Sequence, residues 1–135
     1  MNKMRLQIIS PSRILYDGEC TMLEYNTTEG YVGILPGHIA MTQIIAPGKL
    51  TIYEEGVEKP IFMALMSGIS KILPDTIMLL AEVAELKSEI DIDRAKAARE
   101  RALKRMSERG DSFDLDRAKY ALKKAETRIE VASIE

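Results

Sequence analysis

Six cations near the end of this sequence have the spacing of an anion site. Arg94 and Arg101 stand seven residues apart and Arg105 follows four later; Arg117, Lys124 and Arg128 repeat the same intervals. On helices that spacing lines each triple along one face, with Arg94 and Arg101 about 10 Å apart at a 1.5 Å rise per residue. Two such stripes laid side by side repel unless acids or a bound polyanion intervene. The pattern therefore reads either as a polyanion site or as two solvated faces with i,i+4 partners such as Glu100 and Lys104.

A second candidate is the run Asn26–Leu50, NTTEGYVGILPGHIAMTQIIAPGKL. Its glycines could cradle a phosphate through backbone N–H groups, or its Pro36-Gly37 and Pro47-Gly48 pairs could sit at the centres of type II turns. No P-loop lysine follows, no helix opens after the glycines, and short apolar runs surround them, so turns are the better reading. Single residues add little chemistry. Cys20 has no second thiol or nearby histidine and reads as a packed strand residue; a reducing compartment fits. His38 is the one histidine, no nucleophile–base pair is visible, and no metal-ligand spacing or internal repeat occurs. Met22, Met41, Met63, Met66 and Met78 read as core filler, with Met41 also available to a partner.

Two segments of different texture must position these groups. Residues 1–86 carry six basic and ten acidic residues, a net of −4, while residues 87–135 carry thirteen and eleven, a net of +2. The first segment alternates short apolar stretches with turn signals, as in Met4, Leu6 and Ile8, and predicts about ten strands in a β-sandwich or flattened barrel. Asp17-Gly18 is its strongest hairpin dipeptide. The second segment is helical. Asp91 or Ser88 can cap a helix with small apolar residues at Ala95, Ala98, Ala102 and Met106, which Gly110 ends. Asp114 is placed to cap a second, with Leu115, Ala118, Leu122, Ala125 and Ile129 on one stripe. The fold class is thus α+β, mainly β: a sandwich followed by an antiparallel two-helix hairpin with a weak, alanine-rich seam.

Composition removes several functions. The net charge of −2, interspersed acids and scarce aromatics argue against a nucleic-acid adaptor. The charged start lacks the apolar region of a signal peptide, and no apolar run approaches the ~20 residues that span a bilayer. A soluble chain that meets a membrane only through a partner is the expectation. A small-molecule sensor with a helical lid is the other reading.

The order EGxxGILPGH (Glu29 to His38), a second Pro-Gly, and an IDxxRA box (Ile90 to Ala95) opening a helical hairpin resembles the epsilon subunit of bacterial F-type ATP synthases. The resemblance implies a non-catalytic rotor subunit of the central stalk, peripheral on the cytoplasmic face of the cell membrane. It implies a sandwich that packs on the gamma subunit and touches the ring of c subunits, presenting the region of Glu29, Tyr31 and His38, with Met41 nearby. It also implies a hairpin that inhibits ATP hydrolysis when extended towards the alpha and beta subunits, where Arg99, Arg101, Lys104 and Arg105 would meet acidic segments. ATP is implied as a regulatory ligand of the folded hairpin, with or without magnesium, held by Ile90, Asp91, Arg94 and Ala95 of the box and by Glu85, Arg101 and Arg128. Lys124 stands where nucleotide-binding members have arginine, offering a point charge rather than a fork.

Overall fold

The period-2 pattern at the start of the chain forms a half-buried strand. In β1 (Met4–Ile9), Met4, Leu6 and Ile8 are buried while Arg5 faces solvent. The structure, a computed structural model, describes residues 3–108 and 112–135. β1 pairs antiparallel with β2 (Ile14–Cys20) and parallel with β8 (Thr76–Leu86). Between them come β3 (Met22–Thr27), β4 (Gly30–Ile34), β5 (Met41–Ile45), β6 (Gly48–Tyr53) and the long β7 (Ile61–Ile72). The order is β2-β1-β8-β7-β5-β3-β4, and β6 pairs both β3 and β7. Because β5 and β6 each bridge β3 to β7, the sheet folds back on itself as a sandwich. Leu6, Ile8, Leu23, Tyr25, Leu50, Ile52 and Ile77 fill its interior without exposure. Cys20 is buried there too, and burial pushes its thiol up to about 11, so it stays protonated and inert.

Among the described residues there are eight strands, not about ten. The long β7 runs unbroken through Ser67 and Gly68, with its register against β8 shifted at Leu65, Ser67 and Gly68. A bulge there bends the strand without ending it, so its first half pairs β6 and its second half β5. Asp17-Gly18 makes no hairpin turn. Both residues lie inside β2 opposite Gln7 and Leu6, Gly18 has no positive φ, and Asp17 accepts a 2.9 Å bond from Arg5. Pro36-Gly37 does form the expected turn, with Gly37 at φ 85° and the His38 N–H donating to the Leu35 carbonyl at 3.2 Å. Pro47-Gly48 does not, because Gly48 already opens β6 opposite Leu65.

A short 3-10 turn (Lys87–Glu89) leads from β8 into α1 (Ile92–Ser107), which is followed by α2 (Ser112–Ala132). Asp91, not Ser88, is the N-cap: its carboxylate accepts from the Arg94 N–H at 3.1 Å. Asp114 is no cap, because α2 begins at Ser112 and places it within the first turn. The expected stop at Gly110 lies outside the described residues. Ala95, Ala102, Ala118 and Ala125 are buried along the seam, whereas Leu115 is exposed. A second face of α2 meets the sandwich: Val131 packs with Ala64 and Met66 of β7, flanked by Phe62 and Ile90.

Candidate functional site

Four segments converge where the hairpin meets the sandwich. The end of β8 supplies Glu85, the linker supplies Glu89, Ile90 and Asp91, and α1 supplies Arg94, Ala95, Ala98 and Arg101; Arg128 comes from the last turns of α2. They line a cleft of about 320 Å³, within the ~300–1,000 Å³ of small-molecule sites. The local reasons are simple. Asp91 ends the linker and starts α1, so Arg94 falls in the first turn, and Arg101 follows two turns on along the same face. The alanines between them leave room that larger side chains would fill. Because α2 returns antiparallel, only its C-terminal turns come alongside the start of α1.

The charges are arranged unevenly. Glu85 Oε1 accepts from Arg128 Nε at 2.6 Å, with both side chains about 30% exposed, which ties α2 to β8. Glu89 lies against Arg13, from the turn between β1 and β2, at 2.6 and 2.7 Å through both oxygens. Arg13 first and the Leu86 N–H second hold the Glu89 carboxyl down at about 2. Asp91 is occupied as the helix cap. Among the described residues, the Arg94 and Arg101 side chains form no ion pair. Two guanidiniums facing one cleft without an ion-pair partner favour a phosphate or carboxylate ligand, which each can grip in bidentate fashion. A larger cleft beside it, about 800 Å³ and lined by Ile61, Phe62, Leu86 and Ile134, is mainly apolar, and its Lys87 donates to the Ile134 carbonyl.

Sequence comparison decides the family. The ATP synthase delta/epsilon chain β-sandwich domain matches residues 3–87, and the long α-helix domain of the same chain matches residues 88–133. The chain belongs to the ATP synthase delta/epsilon family. Relatives within it include the ATP synthase epsilon chain of Brevibacillus brevis, 38% identical over 81% of this chain and 82% of that one. That of Halalkalibacterium halodurans is 33% identical over 98% of both. Among solved structures, the chain resembles one from the Euglena gracilis mitochondrial ATP synthase, with a TM-score of 0.84 at 22% identity over 98% of this chain and 82% of that one. At such identity the likeness shows the fold.

The IDxxRA residues gather as a site with Glu85, Arg101 and Arg128, but not every predicted residue joins them. Glu85, Ile90, Asp91, Arg94, Ala95, Arg101 and Arg128 share the cleft. Lys124 does not line it. It lies a turn earlier on α2, with Nζ 5.0 Å from the centre of the Tyr120 ring. Arg105 lies beyond the cleft's end, and Arg99 sits 3.5 Å from Glu100. The region from Glu29 to His38 is not one patch: Glu29 lies in the turn before β4 and His38 in the turn after it, at opposite ends of that strand. Tyr31 faces the hairpin side, its hydroxyl accepting from the Lys49 N–H at 3.0 Å beside Lys123 and Glu130 of α2. Met41 opens β5 and is partly exposed. Arg13 and Glu89 escaped the sequence reading, because nothing in spacing links residues 76 apart.

Proposed function

We propose that this chain is the epsilon-type rotor subunit of a proton-translocating F-type ATP synthase. It is a non-catalytic part of the central stalk, and its hairpin is held compact by a bound ATP that it does not hydrolyse. The sandwich packs on the gamma subunit and touches the c-subunit ring, and the chain meets the membrane only through the complex, on the cytoplasmic face of the bacterial cell. Released, the hairpin extends towards the alpha and beta subunits, where Arg99, Arg101, Lys104 and Arg105 meet acidic segments and hinder ATP hydrolysis. Among the described residues no helix is long and apolar enough to cross a membrane, which is compatible with a peripheral place.

The observation that supports the regulatory reading most is the pair Arg94 and Arg101, without ion pairs among the described residues, in a cleft to which docked α2 contributes Arg128. A ligand that binds only the docked form biases it by its differential affinity. At 100 times its Kd such a ligand contributes ~2.7 kcal/mol, the same order as burying one valine or leucine side chain, ~1.5–3 kcal/mol. Among the described residues, Val131 is the one buried hydrophobic side chain that α2 places in the docking cluster, so a bound nucleotide acts on the scale needed to bias the hairpin's position. Where magnesium takes part, it would ride on the phosphates, as it commonly does. Isothermal titration of the isolated chain with ATP tests this. Saturable heat that disappears in Arg94→Ala supports the reading, and no saturable heat at millimolar ATP removes it.

A further inference from the structure

Glu89 is the anomalous member of the cleft. It is an acid on the wall of a site built for anions, and its charge is met by a residue that does not line that site. Arg13 donates from Nη1 to Oε2 at 2.6 Å and from Nη2 to Oε1 at 2.7 Å, and the same Oε1 accepts from the Leu86 N–H at 2.8 Å. Both carboxylate oxygens are therefore engaged, and the group is fixed at the rim by a planar fork. Counted by formal charge, the lining holds three carboxylates (Glu85, Glu89 and Asp91) against three guanidiniums (Arg94, Arg101 and Arg128). Without Arg13 the cleft is neutral. With Arg13 committed to Glu89 it gains one net positive charge.

We propose that Arg13 is a positioning residue for the cleft: it masks the Glu89 carboxylate and withholds it from Arg94 and Arg101, leaving those two guanidiniums to a polyphosphate ligand. The claim deepens the nucleotide reading and rests on it. A bland role exists for the same pair, since a bidentate bond between the β1–β2 turn and the linker would also clamp the hinge. The two roles differ in what happens when Glu89 is removed together with Arg13. A clamp is lost twice, whereas a mask is no longer needed.

The test uses the full chain in four forms: native, Arg13→Ala, Glu89→Gln and the double variant, each titrated calorimetrically with ATP and, separately, with inorganic tripolyphosphate. Masking predicts about tenfold weaker binding in Arg13→Ala, the scale of one uncompensated charge a few ångströms away in a partly solvated site. Glu89→Gln should bind more tightly than native, and the double variant, which restores the native net charge of the cleft, within about twofold of native. Native affinity in Arg13→Ala overturns the proposal and leaves the nucleotide reading standing. A double variant as weak as Arg13→Ala also overturns it, in favour of the clamp. Tripolyphosphate binding with this ordering but no ATP binding sustains the masking role and removes the nucleotide. Binding of neither ligand to the native chain removes both.

Discussion

The sandwich and the hairpin are held by different means. In the sandwich, large side chains such as Tyr25, Leu23 and Ile52 are wholly buried, and β3 and β7 are each bonded to three other strands. Opening any of those strands exposes apolar area and breaks several ladders together. The hairpin closes on alanines, Ala95 and Ala102 against Ala118 and Ala125, which bury little area each. Among the described residues, it is joined to the sandwich by the patch around Val131, by the side of α2 that lies beside Tyr31 and Gly48, and through the polar ties Arg128–Glu85 and Arg13–Glu89. Stability is therefore graded, with a stiff platform and an appendage that can open locally well below the global cost. The cleft lies on the boundary between the two regimes, so a ligand there acts on the element that is cheapest to move.

The platform half of that contrast is most severely tested at Gly68. It sits at φ 146° in the β7 bulge, and a Cβ there would be driven into the backbone carbonyl of Leu80 on β8. Both the conformation and the contact penalise any side chain. Gly68→Ala should destabilise the sandwich by about 3 kcal/mol or more, combining backbone strain with displacement of a packed strand. Denaturant unfolding followed by circular dichroism measures it. A loss below ~1 kcal/mol would mean that the bulge yields and the platform is softer than its packing suggests.

On the appendage, Val131→Ala should act locally. Removing two methyls from a fully buried site costs about 1–2 kcal/mol. That loss should fall on docking, raising hydrogen exchange in α2 roughly tenfold while the unfolding midpoint of the sandwich stays in place. Equal weakening of both regions would show that they unfold as one unit, and the two-regime contrast would fail.

Sequence patterning revealed the two regimes because each has its own period: two residues at Met4, Leu6 and Ile8, and three or four along the alanine stripes. Spacing also put Arg94 and Arg101 on one helix face, whereas Asp91 and Ala95 joined them only as what the resemblance of the IDxxRA box implies. What it missed required tertiary information. Whether Gly18 and Gly48 turn the chain or continue a strand depends on what lies across the sheet, here Leu6 and Leu65. The extent of the cleft along α2 depends on how the helices are aligned, which excluded Lys124. Arg13 and Glu89 look like ordinary surface charges until the fold brings the β1–β2 turn to the linker.

The more exposed tie gives the finest test of the boundary. The Glu89 carboxyl is held at about 2 by the Arg13 fork and then by the Leu86 N–H, against about 4.3 for a free glutamate. A carboxyl whose folded value is depressed contributes stability that is fully present above the unfolded value and is lost as pH falls through the folded one. The linker tie should therefore be constant from about pH 8 to 5.5 and weaken only between about pH 4.5 and 2. The Leu86 amide, which donates to the same carboxylate at 2.8 Å, reports this locally, apart from the many other acids that protonate over that range. Its chemical shift should titrate with a midpoint near 2 in the native chain and move up towards about 4 in Arg13→Ala. An unchanged midpoint would show that the Leu86 N–H, rather than the distant arginine, sets the charge of Glu89. The boundary would then be a property of the linker alone, with no part played by the sandwich turn that now reaches across to it.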